Sequence, residues 1–220
     1  MIRIGCIIPA AGESRRLGRN KLAEPLAGIT VLERTLTAVP TENLEAVAVV
    51  VREDTVERIA EKYFEKKEAK STGTCRKRVH VVKYAGGPVN ETIKKGLECM
   101  PGLDGYLFIN GDMPLLERKS VEKLIAVFKD NRNCIVRMSA AGIAQNPVIF
   151  PGTAYGALMN LGENCGGNSV INSGKYEIIK VEAGMPCELL DVDTEEKLAE
   201  AAEFLTAGSN PKGEEYVYGK

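Results

Sequence analysis

Short, unbroken apolar runs alternate along this chain with longer stretches in which apolar residues recur every three or four positions. "IRIGCII" (2–8), "LEAVAVVV" (44–51), "RVHVVKYA" (78–85) and "GYLFIN" (105–110) are short and rich in β-branched or aromatic residues, which predicts strands. Beyond Glu45 the second run has no polar position, so it predicts a strand buried on both faces. Between these runs, "TVLERTLTAV" (30–39), "DTVERIAEKYFEKK" (54–67), "NETIKKGLECM" (90–100) and "RKSVEKLIAVFKD" (118–130) follow the helical period, with Asp54 as N-cap of the second. Alternation of this kind predicts an α/β fold, a Rossmann-like, mainly parallel sheet with helices on both faces.

The second half departs from that rhythm. "CIVRMSA" (134–140) and "QNPVIF" (145–150) read as two strands joined through Gly142, a small antiparallel insertion rather than another crossover. "GTAYGALMNLG" (152–162) predicts a short helix and "ENCGGNSVINSG" (163–174) a loop with a helix. "YEIIKVEA" (176–183) and "CELLDVD" (187–193) read as late strands, and "TEEKLAEAAEFL" (194–205) as a closing helix. No internal repeat is visible. The charged, Ser/Thr/Gly-rich stretch at 65–78 predicts a solvated loop. Residues 1–206 therefore read as one domain, and the aperiodic 207–220 as a disordered tail.

Charge narrows the function. Lys and Arg number 29 against 30 Asp and Glu, for a net charge of −1, which argues against a general nucleic-acid binder. Any anion site must be local. No apolar run approaches the length of a membrane span, and "MIRIGCII" leads into a glycine turn rather than a cleavage site. Six cysteines, at 6, 75, 99, 134, 165 and 187, include no close Cys-x-x-Cys pair, so zinc and dithiol motifs lack their spacing. Reduced thiols in a cytoplasmic protein, each serving as a small apolar side chain, are the expectation.

Two loops carry candidate chemistry, each directly after a predicted strand. In a parallel sheet that is where ligands bind, because helix N-termini and loop N–H groups point outward there. In "PAAGESRRLGRNK" (9–21), Ala10, Ala11 and Gly12 permit close backbone approach to phosphate oxygens, and Arg15, Arg16, Arg19 and Lys21 add positive charge. The spacing is that of neither a Walker loop nor a dinucleotide fingerprint. A glycine turn with solvated arginines is the competing reading. In "NGDMPLL" (110–116), Asp112 stands just past a buried strand, suited to capping a helix or to holding magnesium together with substrate phosphates. Asp191 and Asp193, two apart on a predicted strand, share a face that could point at the site. Asp193 with Glu196 also fits a capping pattern for the last helix. The lone His80 has no evident partner, and no nucleophilic triad stands out. Phosphoryl or nucleotidyl transfer suits such an inventory, since positioning and charge neutralisation dominate those reactions.

Four segments in order, "IIPAAGESRRLGRNKL", "NGDMPLL", "NPVIFP" and "LLDVDTEEKL", make the chain resemble nucleotidyltransferases of the molybdenum cofactor cytidylyltransferase and guanylyltransferase type. They frame nearly its whole length. The resemblance implies an enzyme that binds a nucleoside triphosphate over the first loop. Ala10, Ala11 and Gly12 would approach base and phosphates, Arg15 and Arg16 the triphosphate, Lys21 the phosphate under attack, and Asp112 with Asp193 magnesium. CTP is favoured over GTP, because "PAAGESRRLG" and "GDMPLL" are closer to the cytidylyltransferase branch. The acceptor would be phosphorylated, molybdopterin cofactor above all, with a molybdoenzyme as partner and neither nucleic acid nor membrane involved. Three positions depart from the family pattern. Pro9 replaces Leu or Thr, "GGPVNETIKKGL" replaces a Ser-rich segment and offers Asn90 and Thr92 instead, and Gln145 and Asn146 replace Gly-His. Rival expectations are a cytidylyltransferase for an isoprenoid or sugar-alcohol phosphate and a noncatalytic nucleotide-binding protein.

Overall fold

The computed structural model describes residues 2–12, 18–69 and 78–207. β1 (Ile4–Ala10) opens the chain, followed by a 3-10 turn (Lys21–Ala23), the two-residue strands β2 (Pro25–Leu26) and β3 (Ile29–Thr30), and α1 (Val31–Thr37). Next come β4 (Ala46–Val51), α2 (Asp54–Ala69), β5 (Arg78–Lys83), α3 (Val89–Glu98), β6 (Gly105–Phe108) and α4 (Arg118–Asp130). The remainder is β7 (Ile135–Ala140), β8 (Ile143–Pro151), α5 (Tyr155–Met159), α6 (Asn168–Ile171), β9 (Ile178–Glu182) and α7 (Glu195–Ala207).

One seven-stranded sheet, in the order β5-β4-β1-β6-β8-β7-β9, forms the centre. All its described strands run in one direction except β8, which is antiparallel to both β6 and β7. The expected antiparallel pair at 134–150 is therefore present, with Ala141 and Gly142 at positive φ in its turn, but it is built into the main sheet. A second, unforeseen antiparallel pair is β2–β3.

Burial on both faces explains the apolar runs. Ile4, Cys6 and Ile8 of β1 face a core shared with α1, α2, α4 and α7, while Ile7 faces one shared with α3, α5 and α6. α3 lies so close to β1 that a Cβ on Gly96 would fall 2.5 Å from Ile7 Cγ2. Thr30 caps α1 through a reciprocal box with Glu33, its hydroxyl accepting from the Glu33 N–H at 3.2 Å.

Three local expectations are corrected. Residues 187–193 form no strand: Pro186–Leu189 is a 3-10 turn. It is locked by the buried Glu188 carboxylate, which accepts from the backbone N–H groups of Met185 (2.8 Å) and Glu117 (3.2 Å). Asp54 does not cap α2, because its carboxylate pairs with Lys83 while Glu57 N–H bonds to the Glu53 carbonyl at 3.0 Å. Residues 65–69 of the expected loop continue α2, and the rest of that loop at 70–77, with Cys75, lies outside the described residues, as does 208–220.

Candidate active site

The chain runs from β1 outward through β4 to β5, then returns to lay β6 on the other side of β1. Strand order reverses between β1 and β6, and a crevice opens at their carboxyl ends, the place where open α/β sheets bind ligands. Both candidate loops leave from there. The ladder continues past β6, with Ile109 N–H donating to the Ile7 carbonyl (3.1 Å) and Gly111 N–H to the Pro9 carbonyl (3.2 Å). A Cβ on Gly111 would stand 3.1 Å from the Pro9 oxygen. Thr35 of α1 donates its hydroxyl to the Gly111 carbonyl at 3.0 Å. That peptide is thus clamped on two sides, and Asp112 follows it into the crevice.

Lys21 comes from the other loop. Asn20 caps the 3-10 turn, its side-chain oxygen accepting from Leu22 N–H at 3.0 Å, and the buried Leu22 anchors the turn to the core. Lys21, pointing the other way, forms an ion pair with Asp112, both side chains mostly withdrawn from solvent. The two residues that sequence order separates by 91 positions therefore meet.

Asp191 completes the cluster. Val192 N–H donates to the Asp112 carbonyl at 2.9 Å, drawing the extended segment after the 3-10 turn alongside the metal-loop candidate. Burial, and then the negative charge of Asp112, raise the Asp191 carboxyl from 3.8 to about 6, against the opposing effects of the Asn110 amide and Lys21. Asn110 Nδ2 donates to Asp191 Oδ1 at 3.2 Å, and Asn146 Nδ2 to Asn110 Oδ1 at 2.7 Å.

The predicted residues divide accordingly. Lys21 and Asp112 come together, with the buried Ala10 and Ala11 just before the loop. Gly12 is exposed, and a methyl group there would meet no described atom within 4 Å. Asp193, named as metal ligand, pairs with Lys197 at 3.0 Å, and Thr194 caps α7 by accepting from Lys197 N–H at 3.3 Å. The residue beside Asp112 is Asp191, because 190–193 is tied to the Asp112 backbone rather than placed in a strand. Arg19 is not a free cation for phosphate: it bonds Glu24 (2.7 Å) and Glu195 (2.5 Å). Asn90 is buried in α3, and its oxygen accepts from Asn164 N–H at 3.3 Å, so it ties down the loop before α6. Thr92 is buried on the same helix. Arg15 and Arg16 lie outside the described residues. His80 sits on the edge strand β5 opposite Ala48, away from the crevice.

Beside the acid pair lies a cleft of about 190 Å³ between β1, α3, β8 and α6. Phe108, Phe150 and Ile93 form apolar walls, Asn110, Asn146 and Asn168 supply amides, and among the described residues no charged side chain lines it. Sequence reasoning missed Asn110 and Asn146 as site residues. Asn110 was visible as the residue leaving β6, whereas Asn146 carried no signal beyond its departure from Gly-His. Among the described residues no group of three or more His, Cys, Asp and Glu could hold a metal, so a cation here would rely on substrate oxygens. No described helix is long and apolar enough to cross a membrane.

Comparison with known proteins gives the family and the fold. The purine catabolism protein PucB of Bacillus subtilis (strain 168) is 30% identical over 195 residues, covering 86% of this chain and 90% of its own. A solved Rv0371c homologue from Mycobacterium sp. strain JC1 is 25% identical with a TM-score of 0.68, covering 92% of this chain and 98% of its own. Rv0371c of Mycobacterium tuberculosis H37Rv, solved in complex with manganese, has a TM-score of 0.63 at 20% identity, covering 91% of this chain and 98% of its own. The model of the MobA-like NTP transferase domain matches residues 6–178, from within β1 to the start of β9. By that match, with the crevice at the β1–β6 switch and its lysine and acids, the chain belongs to the MobA-like NTP transferase family.

Proposed function

We propose that the protein transfers CMP from CTP to a phosphorylated acceptor, the molybdenum cofactor, and releases pyrophosphate. The observation that carries the reading is the convergence of Lys21, Asp112 and Asp191 at the carboxyl ends of β1 and β6. A noncatalytic binding protein has no need of two carboxylates aimed where an anionic nucleotide would sit. Two carboxylates so close that one raises the other's proton affinity form a hard oxygen donor set, which fits a divalent cation shared with phosphates. Asp112 and Asp191 would hold magnesium or manganese, and the ion, when bound, supplies neutralisation of phosphate charge.

The chain's own groups do the rest. Ala10, Ala11 and the open space at Gly12 let the nucleotide lie against the backbone, and Arg15 and Arg16 are assigned to the triphosphate. An acceptor phosphate oxygen attacks the α-phosphorus in line. The new P–O bond forms as the bond to the bridging oxygen of pyrophosphate breaks, and the electron pair leaves on that oxygen. Lys21, released from Asp112, places its ammonium where negative charge accumulates, a preorganised contact worth more in the transition state than in the ground state.

The apolar and amide lining that the described residues give the cleft favours a ring-bearing acceptor. A polyol phosphate would present hydroxyls and a dianion to walls of Phe108, Phe150 and Ile93, whereas a flat heterocycle would stack on those walls and reach the Asn168 amide. A molybdoenzyme that receives the product is the macromolecular partner in this reading. Pyrophosphate release should be measured with CTP and GTP in turn, each with molybdenum cofactor and with polyol phosphates. Release with CTP and the cofactor is expected. Preference for GTP reverses the base assignment, and release only with polyol phosphates overturns the acceptor.

A further inference from the structure

We propose that Asn146 is a positioning residue that holds Asp191 toward Asp112 through Asn110. The idea rests on the reading of Asp112 and Asp191 as metal ligands and extends it to a residue that touches neither the nucleotide nor the cation.

Strand direction brings the two asparagines together. β8 is the reversed strand, paired with β6 in the register Phe108–Val148. Moving two residues along β6 moves two back along β8, so Asn110 comes opposite Asn146. A parallel strand in that place would carry a different residue to this end of the sheet. Asn146 Nδ2 donates to Asn110 Oδ1 at 2.7 Å, and Asn110 Nδ2 donates to Asp191 Oδ1 at 3.2 Å. A carboxamide has one accepting end and one donating end. With its oxygen occupied by Asn146, Asn110 can present only N–H to Asp191.

Without Asn146 the Asn110 amide is held at its nitrogen alone, by the acceptor-only Asp191 carboxylate, and its oxygen is left without that donor. An amide held at one end swings more freely and can leave the acid. Asp191 would then lose the donor that fixes one of its oxygens, and with it the orientation that aims the other at a shared ion. Groups of this outer kind matter: removing the partner of a metal-binding side chain commonly lowers metal affinity about 10- to 100-fold.

Manganese is the probe. Its binding to the intact protein with saturating CTP and no acceptor is followed by the electron paramagnetic resonance signal of free Mn²⁺. Proteins compared are wild type, Asn146→Ala, Asn146→Asp, Asp112→Asn, Asp191→Asn and the double variant Asn146→Ala/Asp191→Asn. Asn146→Ala is expected to weaken Mn²⁺ binding about 10-fold. Asn146→Asp, nearly the same size, should weaken it at least as much, because a carboxylate there attracts the Asn110 N–H and turns its oxygen toward Asp191. In the Asp191→Asn background Asn146→Ala should add nothing, since its route is gone. Wild-type affinity in both Asn146 variants overturns the proposal, as does a full additional loss in the double variant. If instead neither Asp112→Asn nor Asp191→Asn weakens binding, the metal reading itself fails.

Discussion

Mutation of Lys21 separates a catalytic role from a binding one. Now paired with Asp112, the lysine would turn to the α-phosphate when nucleotide and metal arrive. Lys21→Ala should lower the single-turnover rate by roughly 100- to 1000-fold, the usual cost of a lost charge-stabilising donor. Nucleotide affinity should fall far less, because the loop backbone remains. A collapse in affinity with an intact saturated rate would make Lys21 a binding group only. Asp191 gives a pH signature. Its carboxyl is raised from 3.8 to about 6, so across that window the folded chain holds more protons than the unfolded one. Stability of the metal-free protein should therefore fall as pH rises through about 6 and recover on acidification. Asp191→Asn removes that slope, which melting curves from pH 4 to 8 in both proteins would show. Mn²⁺ affinity should run the opposite way and weaken on acidification, since only the ionised carboxylate serves as ligand.

Two elements can be tested through single side chains. α3 approaches β1 at Gly96, where a Cβ would stand 2.5 Å from Ile7 Cγ2. Alanine is the better helix former, by about 1 kcal/mol. Overpacking against a fully buried side chain of a central strand costs about 1–3 kcal/mol. Gly96→Ala should therefore lower Tm by up to about 8 °C, at 2–4 °C per kcal/mol for a domain of this size. A rise in Tm would mean that Ile7 yields. Arg19 joins the end of the first loop to α7 through Glu195. Because Glu24 and Glu195 already neutralise it, Arg19→Ala should leave CTP affinity near wild type and Tm little changed. A tenfold or greater loss of affinity would place Arg19 on the triphosphate after all.

For the molecule as a whole, ligand binding should appear as stability. Nucleotide with magnesium at about 100 times its Kd adds about 2.7 kcal/mol to a protein that binds it only when folded. That corresponds to a Tm rise of about 5–10 °C. The gain should require both CTP and the divalent ion, and Asp112→Asn should erase the metal-dependent part. Equal gains with and without metal in both proteins would remove Asp112 from the site. The topology gives the reason for expecting one coupled response. Lys21, Asp112 and Asp191 reach a single crevice from segments after β1, after β6 and before α7, so a ligand that binds there joins the first, middle and last thirds of the chain.

Local patterning was enough for much of this. An unbroken apolar run marked β4 as a strand buried on both faces, because a strand covered by helices on both sides has no polar position to spare, and a shorter run marked β1 as a strand. The period of the longer stretches specified α1 to α4 within one or two residues. Lys21 and Asp112 were legible for the same reason, since each follows such a strand and parallel sheets gather ligands at strand ends. Other features depended on partners far away along the chain. Asp191 rather than Asp193 stands beside Asp112 because Val192 N–H bonds to the Asp112 carbonyl, a contact that no two-residue periodicity contains. Arg19 looked like part of a phosphate cradle until Glu195, 176 residues away, neutralised it. Asn146 gained its place only when β8 ran backward beside β6. Backbone preference is a property of neighbouring residues, whereas the meeting of charges and amides is set by the crossovers that fold distant loops onto one end of the sheet.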